Sequence, residues 1–145
     1  MTGNFWRMVV AGFIAGALSV LVFHQLGFHF AAELGYGRSN LYSMRPVPPW
    51  GVPTIVSQVF WGGLWGILGA FVVTRLPGVL NGALGWILFA AALVLAVNWF
   101  VVLPLKGAPV GGGWRLPGVV VVPIVYALWG FGMWLFYVLA RKLMK

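Results

Sequence analysis

Between Thr54 and Thr74 the chain runs for about twenty residues without a charged side chain. Wound as a helix at ~1.5 Å per residue, that run matches the ~30 Å hydrocarbon thickness of a bilayer. Three more runs of the same kind are expected at about residues 5–28, 79–103 and 119–140. In lipid a chain must satisfy its own backbone, and runs this long do so as helices. The expected fold is therefore an all-α integral membrane protein: a single domain, residues 1–145, of four transmembrane helices in two antiparallel hairpins. Only 7% of the residues are charged, against roughly a quarter in a soluble domain, so the composition leaves no room for a separate soluble domain.

The segment that leads into the second span, RPVPPWGVP, carries four prolines between Pro46 and Pro53. Each fixes φ and removes a donor, so the backbone should stay extended until a helix starts at Thr54. The whole loop 31–53 is expected on the membrane surface, its Tyr36, Tyr42 and Trp50 in the interfacial belt and its Gly35 and Gly37 opposing a regular helix. Leu76-Pro77-Gly78 should turn the second span tightly into the third. The loop 104–118 then repeats the chemistry of the first, with Lys106, Arg115, prolines, three successive glycines and Trp114. VSQVFWGGLW at Val56 and VYALWGFGMW at Val125 extend the likeness. This outline admits a parallel pseudo-repeat about an axis along the membrane normal.

Small residues recur at helical spacing. Gly12 and Gly16 make one pair, and Gly62, Gly66 and Ala70 make a stripe; Gly78 and Gly82 open the third span. Such stripes let helices approach closely, so these residues are the expected helix-packing or partner face. Smooth faces on three helices are more packing surface than a four-helix monomer needs, which points to other membrane subunits or to self-association.

The formal charge is +8, with Glu33 the only acid. The cations stand at the ends of spans, a pattern that suits anionic lipid headgroups and topology control; no nucleic-acid partner is expected. Arg7, Arg75, Arg141, Lys142 and Lys145 fall on one side and Arg38, Arg45, Lys106 and Arg115 on the other. That bias favours cytoplasmic termini. The first apolar run follows one early charge, Arg7, as in a signal peptide, but no good small-x-small cleavage site comes after it, so a retained first helix is expected. The absence of cysteine removes disulfides, thiolate metal sites and iron–sulfur clusters.

One polar constellation stands out. His24, Gln25, Ser57, Gln58, Asn98 and Tyr126 all fall in the membrane layer beneath the two long loops. Polar groups there need partners or a wet cavity. They either form an inter-helix network or line a pocket roofed by Arg38, Arg45, Lys106 and Arg115 and suited to a phosphate-bearing lipid headgroup. His24 and His29 diverge by about 140° on a helix and cannot share a metal. A lone acid rules out paired-carboxylate catalysis within one chain, and no motif sets a base beside any serine. No catalytic residue, metal or cofactor is expected.

The segments VFHQ at Val22, MRPVPPWGVP at Met44, FWGGLWG at Phe60 and WFVVLPLKGAPVGGGW at Trp99 give the chain its likeness to known proteins. It resembles a group of uncharacterised small four-span bacterial inner-membrane proteins, a likeness that implies a multi-pass bacterial inner-membrane setting and carries no activity. Small multidrug exporters have a comparable length, but their membrane glutamate has no counterpart here. Two readings follow. The first is a noncatalytic accessory or assembly subunit of a larger membrane complex. The alternative is a homo-oligomeric small transporter, channel or lipid-handling protein with an anionic-headgroup pocket beneath the two long loops.

Overall fold

A computed structural model describes residues 2–144. Four helices are long and apolar enough to cross a membrane: α1 (Gly3–Glu33), α2 (Thr54–Val73), α3 (Ala83–Leu105) and α4 (Gly118–Leu143). The protein is a multi-pass helical membrane protein. In cross-section the helices stand in the order α2, α1, α4, α3, with α1 packed extensively on both α2 and α4. α3 packs mainly on α4 and meets α2 where the Trp86 and Phe89 rings lie over Gly69. Each pair joined by a long loop, α1 with α2 and α3 with α4, thus forms an antiparallel hairpin.

The α1–α2 contact is backbone against backbone. A Cβ placed on Gly12 would lie 2.8 Å from the Gly66 carbonyl oxygen and 3.1 Å from the Ala70 methyl, and one on Gly66 would lie 2.9 Å from Gly16 Cα. Gly62 faces Val20 and Gly16 in the same way. The two small-residue stripes therefore face each other inside the molecule. Gly78 and Gly82 do not join them. Gly78 sits at φ +59 at the head of the 3-10 turn Gly78–Asn81 and Gly82 precedes α3, whose first close backbone approach is at Gly85.

Between α1 and α4 the contact is polar at its centre. The buried Ser19 hydroxyl donates to the Trp129 carbonyl at 2.7 Å, and Trp129 Nε1 donates to the Gly16 carbonyl at 3.4 Å. Both donors are thereby satisfied away from water. At the termini Arg141 donates to Asn4 Oδ1 at 2.7 Å, bringing the start of α1 and the end of α4 to one end of the bundle.

Two helices carry wide π turns. In α1 the turn covers Val20–His24, and the Gln25 N–H reaches back five residues to the Val20 carbonyl. Residues facing α2 are spaced by four up to that point, Gly12, Gly16 and Val20, and the next to do so is Gln25, five further on. α3 is widened at Phe89–Val94 and at Asn98–Val102. The second widening has a cause in sequence: Pro104 has no N–H to offer, and in a regular α-helix a proline ring would clash with the carbonyl four residues back, while here the Leu103 N–H bonds the Asn98 carbonyl.

α1 runs five residues past the expected span. It ends in a Schellman motif, with Gly35 at φ +85, the Gly35 N–H on the Ala32 carbonyl and the Tyr36 N–H on the Ala31 carbonyl. The proline-rich segment is extended as expected, and it also pairs with itself: β1 (Pro46–Val47) and β2 (Val52–Pro53) form a short antiparallel ladder. α2 starts at Thr54, and the loop caps it. The Thr54 N–H donates to the Arg45 carbonyl at 2.9 Å and the Ile55 N–H to the Ser43 carbonyl at 3.0 Å, so two donors that a helix start leaves open are used. α4 begins at Gly118, which puts Pro123 in its second turn.

Candidate functional site

The end of the bundle opposite the termini holds two adjoining cavities. One, of about 310 Å³, lies between α1, α3, α4 and the glycine turn that precedes α4; the other, of about 300 Å³, lies between α1, α2 and the first long loop. They share His24, Phe28 and Gln58. Together they form one two-lobed cleft with those three side chains at the divide.

The polar residues that the sequence singles out converge here. Gln58 and His24 line both lobes; Asn98, Tyr126 and Arg115 line the larger, and Gln25, Arg38 and Arg45 the smaller. Ser57 and Lys106 line neither lobe, and Lys106 is exposed beyond the end of α3. The π turns account for part of this convergence. The extra residue in the Val20–His24 turn brings Gln25 round to α2, leaving His24 toward α4 with its ring 6.0 Å from Tyr126 and 6.5 Å from Trp129. Asn98 stands at the head of the last π turn of α3.

Gln25 is buried and fully engaged. Its amide nitrogen donates to Gln58 Oε1 at 2.7 Å, and its oxygen accepts the Tyr42 N–H at 3.0 Å. That arrangement leaves the Gln58 amide nitrogen as a donor toward the lobes. His24 differs, because its Nδ1 is buried and has no hydrogen-bond partner among the described residues. An unpaired imidazole nitrogen in an apolar layer costs roughly 1–3 kcal/mol.

The loops are held over the cleft by specific contacts. Tyr42, at φ +49, binds α1 twice, through its N–H on Gln25 and its hydroxyl on the Leu21 carbonyl at 2.9 Å. Sequence reasoning assigns Tyr42 to the interfacial belt and misses this strut; no spacing in the loop signals it. On the other side Gly111, Gly112 and Gly113 adopt φ of 60, 64 and 75, and Trp114 follows at 54. This left-handed turn folds the Trp114 ring onto Gly111 and against Trp99, with ring centroids 5.2 Å apart. A Cβ at Gly111 would stand 2.7 Å from the Trp114 ring, so the turn needs glycine for its φ and for its space. Arg115 emerges from the turn at the larger lobe.

Electrostatically the cleft is one-signed. Arg38, Arg45 and Arg115 reach it from the loops, whereas Glu33, the only acid in the chain, lines neither lobe. Among the described residues no group of three or more His, Cys, Asp or Glu could hold a metal ion. The arrangement can attract an anion and offer it neutral donors and acceptors deeper in the layer. Set against known proteins, the chain matches no family model, no curated protein and no solved structure.

Proposed function

We propose that this protein binds the phosphate-bearing headgroup of an anionic membrane lipid, without catalysis, in the cleft beneath its two long loops. One observation carries the reading: three arginines from two separate loops and six polar side chains from all four helices line one two-lobed cleft. Guanidinium groups suit phosphate oxygens, and the three arginines are exposed at the level of the loops, where a headgroup phosphate can reach them. The accessory-subunit reading draws on the small-residue faces; with Gly12, Gly16, Gly62 and Gly66 packed against one another, the cleft is the better-supported feature. The resemblance and the cation bias support a bacterial inner membrane with cytoplasmic termini, which turns the cleft toward the outer leaflet.

The test is lipid retention. Native mass spectrometry of the protein released from nanodiscs of phosphatidylcholine and phosphatidylglycerol should show phosphatidylglycerol enriched over its bulk fraction. The Arg45→Gln/Arg115→Gln variant should lose that enrichment while keeping its helical circular dichroism. Enrichment undiminished in the double variant would remove the proposal.

A further inference from the structure

The cleft has an internal division that a single phosphate does not explain. Its cations are split, Arg38 and Arg45 on one lobe and Arg115 on the other, and the wall between is the neutral set His24, Phe28 and Gln58. Each lobe, at about 310 and 300 Å³, stands at the lower limit of the ~300–1,000 Å³ range of ligand pockets, so each suits a small group and the pair suits a ligand reaching into both. A phosphate in one lobe leaves the arginine charge of the other uncompensated, because no carboxylate lines either. For the same reason a zwitterionic headgroup would bring its ammonium into a wholly cationic site. At the divide, the His24 imidazole and the free Gln58 amide nitrogen line both lobes and would meet a polar group that crosses between them, although His24 Nδ1 itself is closed off from both.

Resting on the headgroup-binding reading above, we infer that the two lobes form one site for a ligand with two phosphoryl groups joined by a short hydroxyl-bearing linker. One phosphoryl group lies with Arg38 and Arg45, the other with Arg115, and the linker crosses at His24 and Gln58. No bond is made or broken. The same chemistry occurs in a two-phosphate lipid and in a soluble bisphosphate.

The probes are nanodiscs of phosphatidylcholine containing phosphatidylglycerol and cardiolipin at equal total phosphate charge, read by native mass spectrometry. Cardiolipin, with two phosphates on a glycerol linker, should be retained about tenfold over phosphatidylglycerol, where charge alone gives about twofold. Arg115→Gln and, separately, Arg38→Gln/Arg45→Gln should each abolish that preference, since each empties one lobe of cations. A cardiolipin lacking the linker hydroxyl should bind less well to the unaltered protein and equally well to His24→Ala, a comparison that needs no loop variant to fold. Glycerol-1,3-bisphosphate added as competitor distinguishes the sources: displacement of the lipid assigns the site to the free bisphosphate headgroup, and retention assigns it to the intact lipid. Equal retention of the two lipids overturns the two-phosphate site while leaving headgroup binding standing. Failure of either lipid to exceed phosphatidylcholine overturns both.

Discussion

Replacing Gly66 with alanine sets two well-understood effects against each other. In an isolated helix the change stabilises by about 1 kcal/mol, because glycine loses more backbone freedom on ordering. In this bundle the new methyl would lie 2.8 Å from Gly16 N and 2.9 Å from Gly16 Cα, and closer still to the Gly12 carbonyl. Ordinary contact begins near 3.4 Å, and the obstructing atoms are backbone, which cannot rotate away. The α1–α2 pair must therefore part by roughly 1 Å along the stretch where Gly12, Gly16, Gly62 and Gly66 meet, at an overpacking cost of about 1–3 kcal/mol plus lost dispersion contacts. The net expectation is destabilisation by about 1–2 kcal/mol. Unfolding in mixed micelles by increasing sodium dodecyl sulfate, followed by tryptophan fluorescence, measures it. Gly3→Ala is the control, since a Cβ there meets nothing within 4 Å. If Gly66→Ala proves as stable as the unaltered protein, or more so, the backbone contact between the stripes is not as close as described.

Two further outcomes are expected. In a double-mutant cycle, Gln25→Leu and Gln58→Leu should show a coupling of about 0.6–1.7 kcal/mol in the same unfolding assay, the range of inter-helix hydrogen bonds in membranes, and a coupling of zero would refute the 2.7 Å bond. Gly111→Ala should push the Trp114 ring off Trp99, seen as changed near-ultraviolet circular dichroism, and lower anionic-lipid retention, seen by native mass spectrometry; Gly107→Ala, equally strained at φ +74 but with open space around its Cβ, should alter neither signal.

The four spans were legible because hydrocarbon imposes a simple rule, a long apolar run with charges at its ends. Their exact ends were less so. The reading of α1 stops at Phe28, where bilayer thickness is used up, but the helix continues to Glu33 until Gly35 supplies the left-handed residue that ends it. The polar constellation was legible from depth alone, since equal distance from a loop places residues in one layer whatever the helix order. Depth does not set azimuth, and so Ser57 lies outside the cleft while Gln58 lies in it. Azimuth also depends on the π turns, and of these only the one before Pro104 has a cause written in the chain. Small-residue stripes show that a face is smooth without showing what covers it. Here each stripe covers the other.

The order α2, α1, α4, α3 has a consequence for how the protein is made. α1 is synthesised before its three partners, yet only its Gly12–Gln25 flank finds a neighbour when α2 follows. Its other flank, where Ser19 donates to the Trp129 carbonyl and His24 faces Tyr126, waits for α4 to be synthesised. About 85 residues separate Glu33 from Gly118, and at ~5–20 residues per second the wait is roughly 4–17 s. During it the serine hydroxyl and the imidazole must be sheltered by the insertion machinery, by headgroups or by water drawn in from the surface. The cleft thus comes into being only with α4, and a nascent chain arrested before α4 would hold its most polar membrane flank open to capture by chaperone or protease.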